Sequence, residues 1–177
     1  LAQRRISVDV TLIAYDAKFA QPDKSRYRAN PYLQPFPELR DDWTTCDDAT
    51  EDWTADDYRR WQAAWPNMLA WVRRMHDAGV LLVTGTDLTN EWIAPGDGLH
   101  QEFELLFSAG LTANQILRMT GANAAEALHR NDVGVIEPGR RADLVLLAAD
   151  PRVAIGNTRA IVWVMQGGVL VANGAPH

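Results

Sequence analysis

The segment Gly79-Val80-Leu81-Leu82-Val83-Thr84-Gly85-Thr86-Asp87 decides the fold. Its apolar run, Val80 to Val83, is typical of a strand buried on both faces in a parallel sheet. The run ends at Thr84 and is followed by a carboxylate, Asp87. Because chemistry in parallel α/β proteins lies at the carboxyl ends of strands, Asp87 is a candidate catalytic residue. Capping of a turn or of the next helix is the alternative role for this side chain.

Composition limits the classes of protein to which the chain can belong. With 177 residues, 47% hydrophobic and 23% charged, it suits one ordinary globular domain. The formal net charge of −6 argues against a nucleic-acid partner, which requires a basic face. No apolar run approaches the ~20 residues that span a membrane, so we expect a soluble protein without a membrane partner. The single cysteine, Cys46, excludes an internal disulfide and leaves the compartment open, with the cytoplasm favoured.

The beginning of the chain combines a strand pattern with a long irregular segment. Ile6 to Ile13 alternates apolar and polar residues and is rich in β-branched side chains, which predicts a strand. Residues 21–53 show no persistent period and contain four prolines, so we predict an irregular lid, a subunit contact or disorder. The acidic residues near its end either hold a cation or form a solvated charged face. They are Asp41, Asp42, Asp47, Asp48, Glu51 and Asp52.

Residues 54 to 78 have the pattern of an amphipathic helix. Thr54, with Asp56 and Asp57 after it, is a helix-start signature. The apolar residues that follow at helical spacing are Tyr58, Trp61, Trp65, Met68, Val72 and Met75. Pro66 either kinks this helix or lies in the first turn of a second one. Five of the seven tryptophans lie between positions 43 and 71, where they form a core, make a subunit contact or line a pocket.

The remainder of the chain divides into helices and a β unit. We predict one helix from Leu99 that closes at Gly110, one that Thr112 caps, and one over Ala122–Leu128. Strands are predicted at 142–147 and 160–165, and Gly167-Gly168 is a two-residue hairpin turn into a third. The predicted domains are therefore a partial α/β barrel over 1–132 and a β unit over 133–177.

Several short segments between residues 76 and 174 occur in the order and spacing of a known family. They are His76–Val80, Thr84–Asp87, Leu99–Glu102, Ala109–Thr112, Thr120–Ala125 and Gly134–Val145. Through them the chain resembles the C-terminal part of the amidohydrolase superfamily, in the branch of imidazolonepropionase and the metal-dependent Xaa-Pro dipeptidases. Residues 1–20 are similar to the preceding barrel strand of that family.

The resemblance implies a fold and a chemistry. It implies the C-terminal portion of a (β/α)₈ barrel with zinc or another divalent metal at the strand ends, plus strands of a small β-sandwich. Val80–Val83 would be the last barrel strand, and Asp87 would bind the metal and carry a proton from the attacking water to the leaving group. Such a metal lowers the pKa of bound water from roughly 15.7 to about 7, and a neighbouring carboxylate can move the proton.

The chain departs from the family pattern at the other metal ligands. The paired His-x-His of the first strand, the bridging lysine and the two single histidines of the middle strands are absent. None of His76, His100, His129 and His177 occupies such a position. His100 follows the last strand and is either a substrate contact or a helix-start or loop residue.

Two hypotheses follow from these observations. Because a catalytic zinc takes roughly three protein ligands and such a barrel needs ~250 residues, the first is a C-terminal fragment of a metal-dependent hydrolase that cleaves C–N bonds. Its substrate would be a small molecule or a dipeptide, and its uncovered edges would favour a homo-oligomer or association with the missing N-terminal half. The second hypothesis is a non-catalytic interaction module, or an inactive truncated fragment, that keeps the family's C-terminal half and binds no metal.

Overall fold

The computed structural model describes residues 1–19, 25–45, 50–88 and 90–173. Cys46, Asp47, Asp48 and His177, which the sequence analysis considers, lie outside the described residues. None of the helices within the described ranges is long and apolar enough to cross a lipid bilayer.

Two short parallel strands carry the α/β part of the chain. Strand β1 spans Ser7–Asp9 and strand β2 spans Leu81–Val83, and the register places Asp9 opposite Val83. This confirms the strand predicted for the central apolar run, in which Leu82 is fully buried. Because the strands are parallel and in register, both of their carboxyl ends lie at the same edge of the sheet.

The strand predicted over Ile6–Ile13 is too long. Thr11 has a left-handed backbone with φ 45°, and helix α1 spans Leu12–Phe19. The carboxylate of Glu102 accepts a hydrogen bond from the Ile13 amide at 2.7 Å, which satisfies one of the free N–H groups of the first helical turn. A side chain distant in sequence therefore supports the start of this helix, and the local pattern of β-branched residues does not reveal it.

The prediction of an irregular segment over residues 21–53 is wrong for residues 25–45. Helix α2 spans Ser25–Arg28, a short 3-10 helix spans Pro31–Leu33, and helix α3 spans Pro37–Thr45. Two of these helices begin with proline, which fits the first helical position because the missing N–H has no partner there. Asn30 caps the 3-10 helix through its side chain. Pro31 and Pro37 therefore begin helices in this segment.

A single long helix, α4, spans Ala55–Asp77. Its predicted start is confirmed by a capping box, in which the Thr54 amide donates to the Asp57 carboxylate at 2.8 Å. Pro66 lies inside the helix on its exposed side, so no second helix begins there.

The predicted helices after residue 98 are confirmed. Helix α5 spans Gly98–Ser108, α6 spans Ala113–Thr120 and α7 spans Ala122–Ala127. A second capping box starts α6, because the Thr112 amide donates to the Gln115 side chain at 2.7 Å.

An antiparallel sheet occupies the C-terminal part of the described chain. Its strands are β3 (Leu144–Leu147), β4 (Ile161–Gln166) and β5 (Val169–Asn173), in the order β3-β4-β5. Gly167 and Gly168 both have positive φ, as a two-residue hairpin turn requires, so the predicted hairpin is confirmed. A domain boundary at residues 132/133 stays a prediction.

The aromatic residues predicted to be in a core or a pocket lie in two groups. Trp43 is buried and packs against Trp92, with ring centroids 6.0 Å apart. Phe19 of α1 stacks on Trp53 and contacts Trp61 of α4, at 5.1 and 5.0 Å between centroids. These contacts join α1 to the start of α4, which supports a packing role for these rings.

The hydrophobic core contains residues from both the α/β part and the β unit of the chain. Its larger group of buried residues is Leu12, Val72, Leu82, Phe103, Leu106, Ala109, Leu111, Ala113, Ile116, Met119 and Ile155. Ile155 begins a short 3-10 helix, Ile155–Arg159, that packs on α5. The β unit is thereby attached to the helix that follows β2.

Candidate functional site

The candidate site lies at the carboxyl ends of β1 and β2. Asp9 closes β1, and the segment Thr84–Asp87 leaves β2 at the same edge. Two carboxylates from neighbouring parallel strands therefore face one region. This is the edge at which α/β proteins place their reactive groups.

Asp87 is exposed and has an unusual backbone conformation. Its φ is 53°, in the left-handed region that non-glycine residues seldom adopt. Its carboxylate accepts a hydrogen bond from the Asn90 side-chain amide at 2.5 Å, and its carbonyl accepts one from the Asn90 backbone amide at 2.9 Å. Asp87 therefore caps a turn, as in the alternative interpretation, and its carboxylate still reaches solvent.

Helices α6 and α7 fix the strand that carries Asp87. The Thr84 hydroxyl lies 3.4 Å from the hydroxyl of Thr120, which itself donates to the Ile116 carbonyl at 2.9 Å. The Asn123 side chain donates to the Leu82 carbonyl at 2.9 Å. These contacts hold β2 and the residue that follows it against α6 and α7, so the loop after β2 begins from a fixed point.

Asp9 is a second carboxylate at this edge, and the sequence analysis does not identify it. Its side chain lies directly against Gly85, and it remains accessible to solvent. Partial burial and the charge of Asp87 raise the pKa of Asp9 above its usual value, against a hydrogen bond from the Val10 amide. The two carboxylates therefore act on each other electrostatically.

Glu102 is an ionisable residue in the core beneath the site. Its side chain has 0% exposure, and one of its oxygens, Oε1, has no partner among the described residues. Burial, and to a smaller extent the charge of Asp9, raise the pKa of Glu102 to about 7, against hydrogen bonds from the amides of Ile13 and Leu12. Glu102 lies in the Leu99–Glu102 segment, one of those that carry the family resemblance. Its burial and its hydrogen bond to Ile13 arise only in the folded chain, so the local sequence does not identify it.

His100 is in the first turn of α5, and its side chain contacts the 3-10 helix at residues 155–159. Its Nδ1 is 2.9 Å from the hydroxyl of Thr158, and that hydroxyl donates to the Ile155 carbonyl at 2.9 Å. Because the hydroxyl proton is already used, Nδ1 carries a proton and donates it, which leaves Nε2 as the acceptor in neutral His100. Burial, and then the charge of Arg159, lower the pKa of His100. This contact is structural, and a contact with substrate stays a prediction.

A buried polar cluster continues from His100 along the same junction. Asp97 is 5% exposed and accepts hydrogen bonds from Asn30, Gln101 and Arg159. Burial opposes ionisation, but these hydrogen bonds and the Arg159 charge outweigh it, so the pKa of Asp97 lies below its usual value. Asp97 thus joins three separate parts of the chain.

The other sequence candidates lie away from the strand ends. His76 is in the last turn of α4, with Nδ1 3.2 Å from Asp77. His129 follows α7 in a left-handed conformation and is exposed.

The described residues do not form a complete metal site by themselves. No group of three or more histidine, cysteine or acidic side chains in the described ranges could hold a metal ion. Asp87 fits a hard divalent cation by its chemistry and its access to solvent, but a catalytic zinc takes roughly three protein ligands. The donor set within the described ranges is therefore insufficient.

Comparison with known proteins shows that residues 62–171 of this chain match the model of the Amidohydrolase family. An imidazolonepropionase from Cutibacterium acnes is 42% identical over 82 residues, which make up 44% of this chain and 19% of that enzyme.

Solved structures match a larger part of the chain. A bottromycin amidohydrolase covers 93% of this chain with a TM-score of 0.68 at 22% identity, and this chain covers 36% of it. A Xaa-Pro dipeptidase with bound methionine in its active site covers 81% with a TM-score of 0.57 at 20% identity, and 34% of it is covered. At such identities the likeness shows the fold alone. The matched region spans 19% of the imidazolonepropionase and about a third of each structure.

Proposed function

The chain belongs to the amidohydrolase family, and we propose that it is the C-terminal part of a metal-dependent hydrolase that cleaves an amide or another C–N bond. The substrate would be a small molecule or a dipeptide, as the names of its relatives suggest. In this proposal residues 1–132 supply the last strands and helices of a (β/α)₈ barrel, and residues 133–177 supply strands of a β-sandwich.

The observation that carries the proposal is the placement of Asp87. Within the region matched to the family, its carboxylate lies just beyond the carboxyl end of a parallel strand and is accessible to solvent. A carboxylate in that place can accept a proton from an attacking water and deliver it to the leaving nitrogen. We assign both roles to Asp87, together with binding of the metal.

The metal in this proposal is zinc or another divalent cation, which would make hydroxide available near neutral pH. Its remaining ligands would come from outside the described residues. β1 pairs only with β2 among the described strands, so its other edge is free to pair with a further barrel strand from the N-terminal half or from another polypeptide. A homo-oligomer is the alternative way to cover this edge.

The second candidate function is a non-catalytic interaction module. The incomplete donor set within the described residues favours it. In this case the chain would keep the fold of the family's C-terminal part without its chemistry.

Metal analysis distinguishes the two functions. We expect stoichiometric zinc in the assembly of this chain with the N-terminal barrel half, and hydrolysis of an amide substrate. Asp87→Asn should lower turnover by about 10²–10⁴-fold, the usual contribution of a general base, without loss of folding. Glu38→Gln, which also neutralises an exposed carboxylate outside the matched region, is the control. Absence of both metal and hydrolysis in the assembly would support the module.

A further inference from the structure

Asp9 and Gly85 lie closer together than a side chain at position 85 would allow. A Cβ atom added to Gly85 would lie 2.2 Å from Oδ2 of Asp9, 2.6 Å from Oδ1 and 2.7 Å from Cγ. The Asp9 carboxylate therefore occupies the space that a side chain at position 85 would fill.

Backbone conformation does not account for this glycine. The φ of Gly85 is not in the positive region that favours glycine, so its φ does not require glycine. A side chain at this position would meet the Asp9 carboxylate, which would have to move to admit it. Strand register creates the close approach of Asp9 and Gly85, because Asp9 is opposite Val83 and its side chain extends over the residues that follow β2.

We propose that Asp9 is a positioning residue for Asp87. The carboxylate of Asp9 lies against Gly85 and thereby fixes the course of the loop that carries Asp87. The loop is held at two points. Asp9 presses on Gly85, two residues before Asp87, and Asn90 binds both the carboxylate and the carbonyl of Asp87. Between these points Asp87 has its left-handed conformation, which the surrounding contacts must maintain.

The position of this loop also affects the catalytic geometry of Asp87. This effect on catalysis rests on the proposed function, whereas the contact between Asp9 and the loop does not. Catalytic groups must be held close to their productive geometry, and a displacement of about 1 Å can cost ~10²-fold in rate. A loop fixed by the neighbouring strand holds Asp87 without relying on a bound metal. Asp9 therefore acts through Asp87 and does not need to contact the substrate.

Amide hydrogen exchange of the Asn90 backbone, measured by NMR on the chain without metal, tests the proposal. The Asn90 amide donates to the Asp87 carbonyl, so its exchange rate reports the opening of this loop. The Ile116 amide, in the fully buried core of α6, reports global unfolding. Asp9→Ala should accelerate exchange at Asn90 by about tenfold, relative to Ile116.

Two further variants separate positioning from stability. Asp9→Asn keeps the planar group over Gly85 and should leave Asn90 exchange within about twofold of the parent. Gly85→Ala should accelerate it as Asp9→Ala does, because the new methyl group displaces the carboxylate. Gly156→Ala is the matched control, since its φ is not positive and its nearest atom would be 3.8 Å away.

Three results would overturn the proposal. They are unchanged exchange at Asn90 in Asp9→Ala or Gly85→Ala, equal acceleration at Asn90 and Ile116, and equal effects of Asp9→Asn and Asp9→Ala. Each is independent of metal binding. Absence of zinc in every assembly would instead refute the proposed function. The exchange rate of Asn90 would still test the positioning role of Asp9.

Discussion

Glu102 should make the stability of this protein depend on pH in the direction opposite to an ordinary surface carboxylate. Its pKa rises from 4.5 to about 7 because the side chain is fully buried. The folded state therefore holds a proton that the unfolded state has lost between these two pH values. Stability is greatest below pH 4.5 as far as this group is concerned, and it decreases as the pH rises to about 7.

The magnitude follows from the size of the shift. A shift of one pKa unit corresponds to roughly 1.36 kcal/mol, so the difference between 4.5 and about 7 corresponds to about 3 kcal/mol of stability lost above pH 7. Other groups with shifted pKa values also make stability depend on pH, among them Asp9, whose pKa is raised, in the same direction and His100, whose pKa is lowered, in the opposite one, so a comparison of variants is needed.

The assay is urea unfolding at 25 °C over the pH range from 4.5 to 7.5, for the parent chain and for Glu102→Gln. The Gln carbonyl can still accept the Ile13 hydrogen bond, but it does not titrate. The free energy of unfolding of Glu102→Gln, minus that of the parent, should increase by about 3 kcal/mol across this range. Glu38→Gln, at an exposed position in the first turn of α3, should show no such increase. A difference that stays constant with pH would refute the reasoning.

Three further predictions concern individual contacts. His100 should titrate below its usual pKa of 6.5 with the proton of its neutral form on Nδ1, as ¹⁵N NMR can show, and its contribution to stability should be lost as the pH falls through that lowered pKa. Asp143→Ala should destabilise the hairpin by about 1 kcal/mol, because it removes the 2.7 Å hydrogen bond from the Gly167 amide, without effect on turnover in the assembled enzyme. Thr112→Ala should lower the free energy of unfolding by about 1 kcal/mol through loss of the α6 cap, and Thr112→Ser should restore most of it.

The features that local sequence predicts well are those whose physical cause is local. The central strand follows from an apolar run, and the starts of α4 and α6 follow from Thr54 and Thr112 with their capping partners. The hairpin follows from Gly167-Gly168, because both residues need positive φ. In each case the deciding atoms lie within a few residues of one another.

The features that the sequence did not reveal depend on distant contacts. Glu102 supports the start of α1, 89 residues earlier in the chain, so the strand predicted through Ile13 is cut short. Pro31 and Pro37 begin helices, a choice that packing of the buried Leu33 favours. Asp9 and Gly85 become neighbours only when β1 and β2 pair. The sequence of either segment alone therefore does not predict that Asp9 is the second carboxylate of the site.

The central claim is that Asp87 is part of a metal site completed by residues outside those described. Its most direct test is the zinc content, by mass spectrometry, of this chain assembled with the N-terminal half of its barrel, for the parent and for Asp87→Asn. We expect at least one zinc per assembly in the parent and a marked loss of zinc in Asp87→Asn, with both proteins folded. Equal zinc content in the two folded assemblies, or none in the parent, would contradict it.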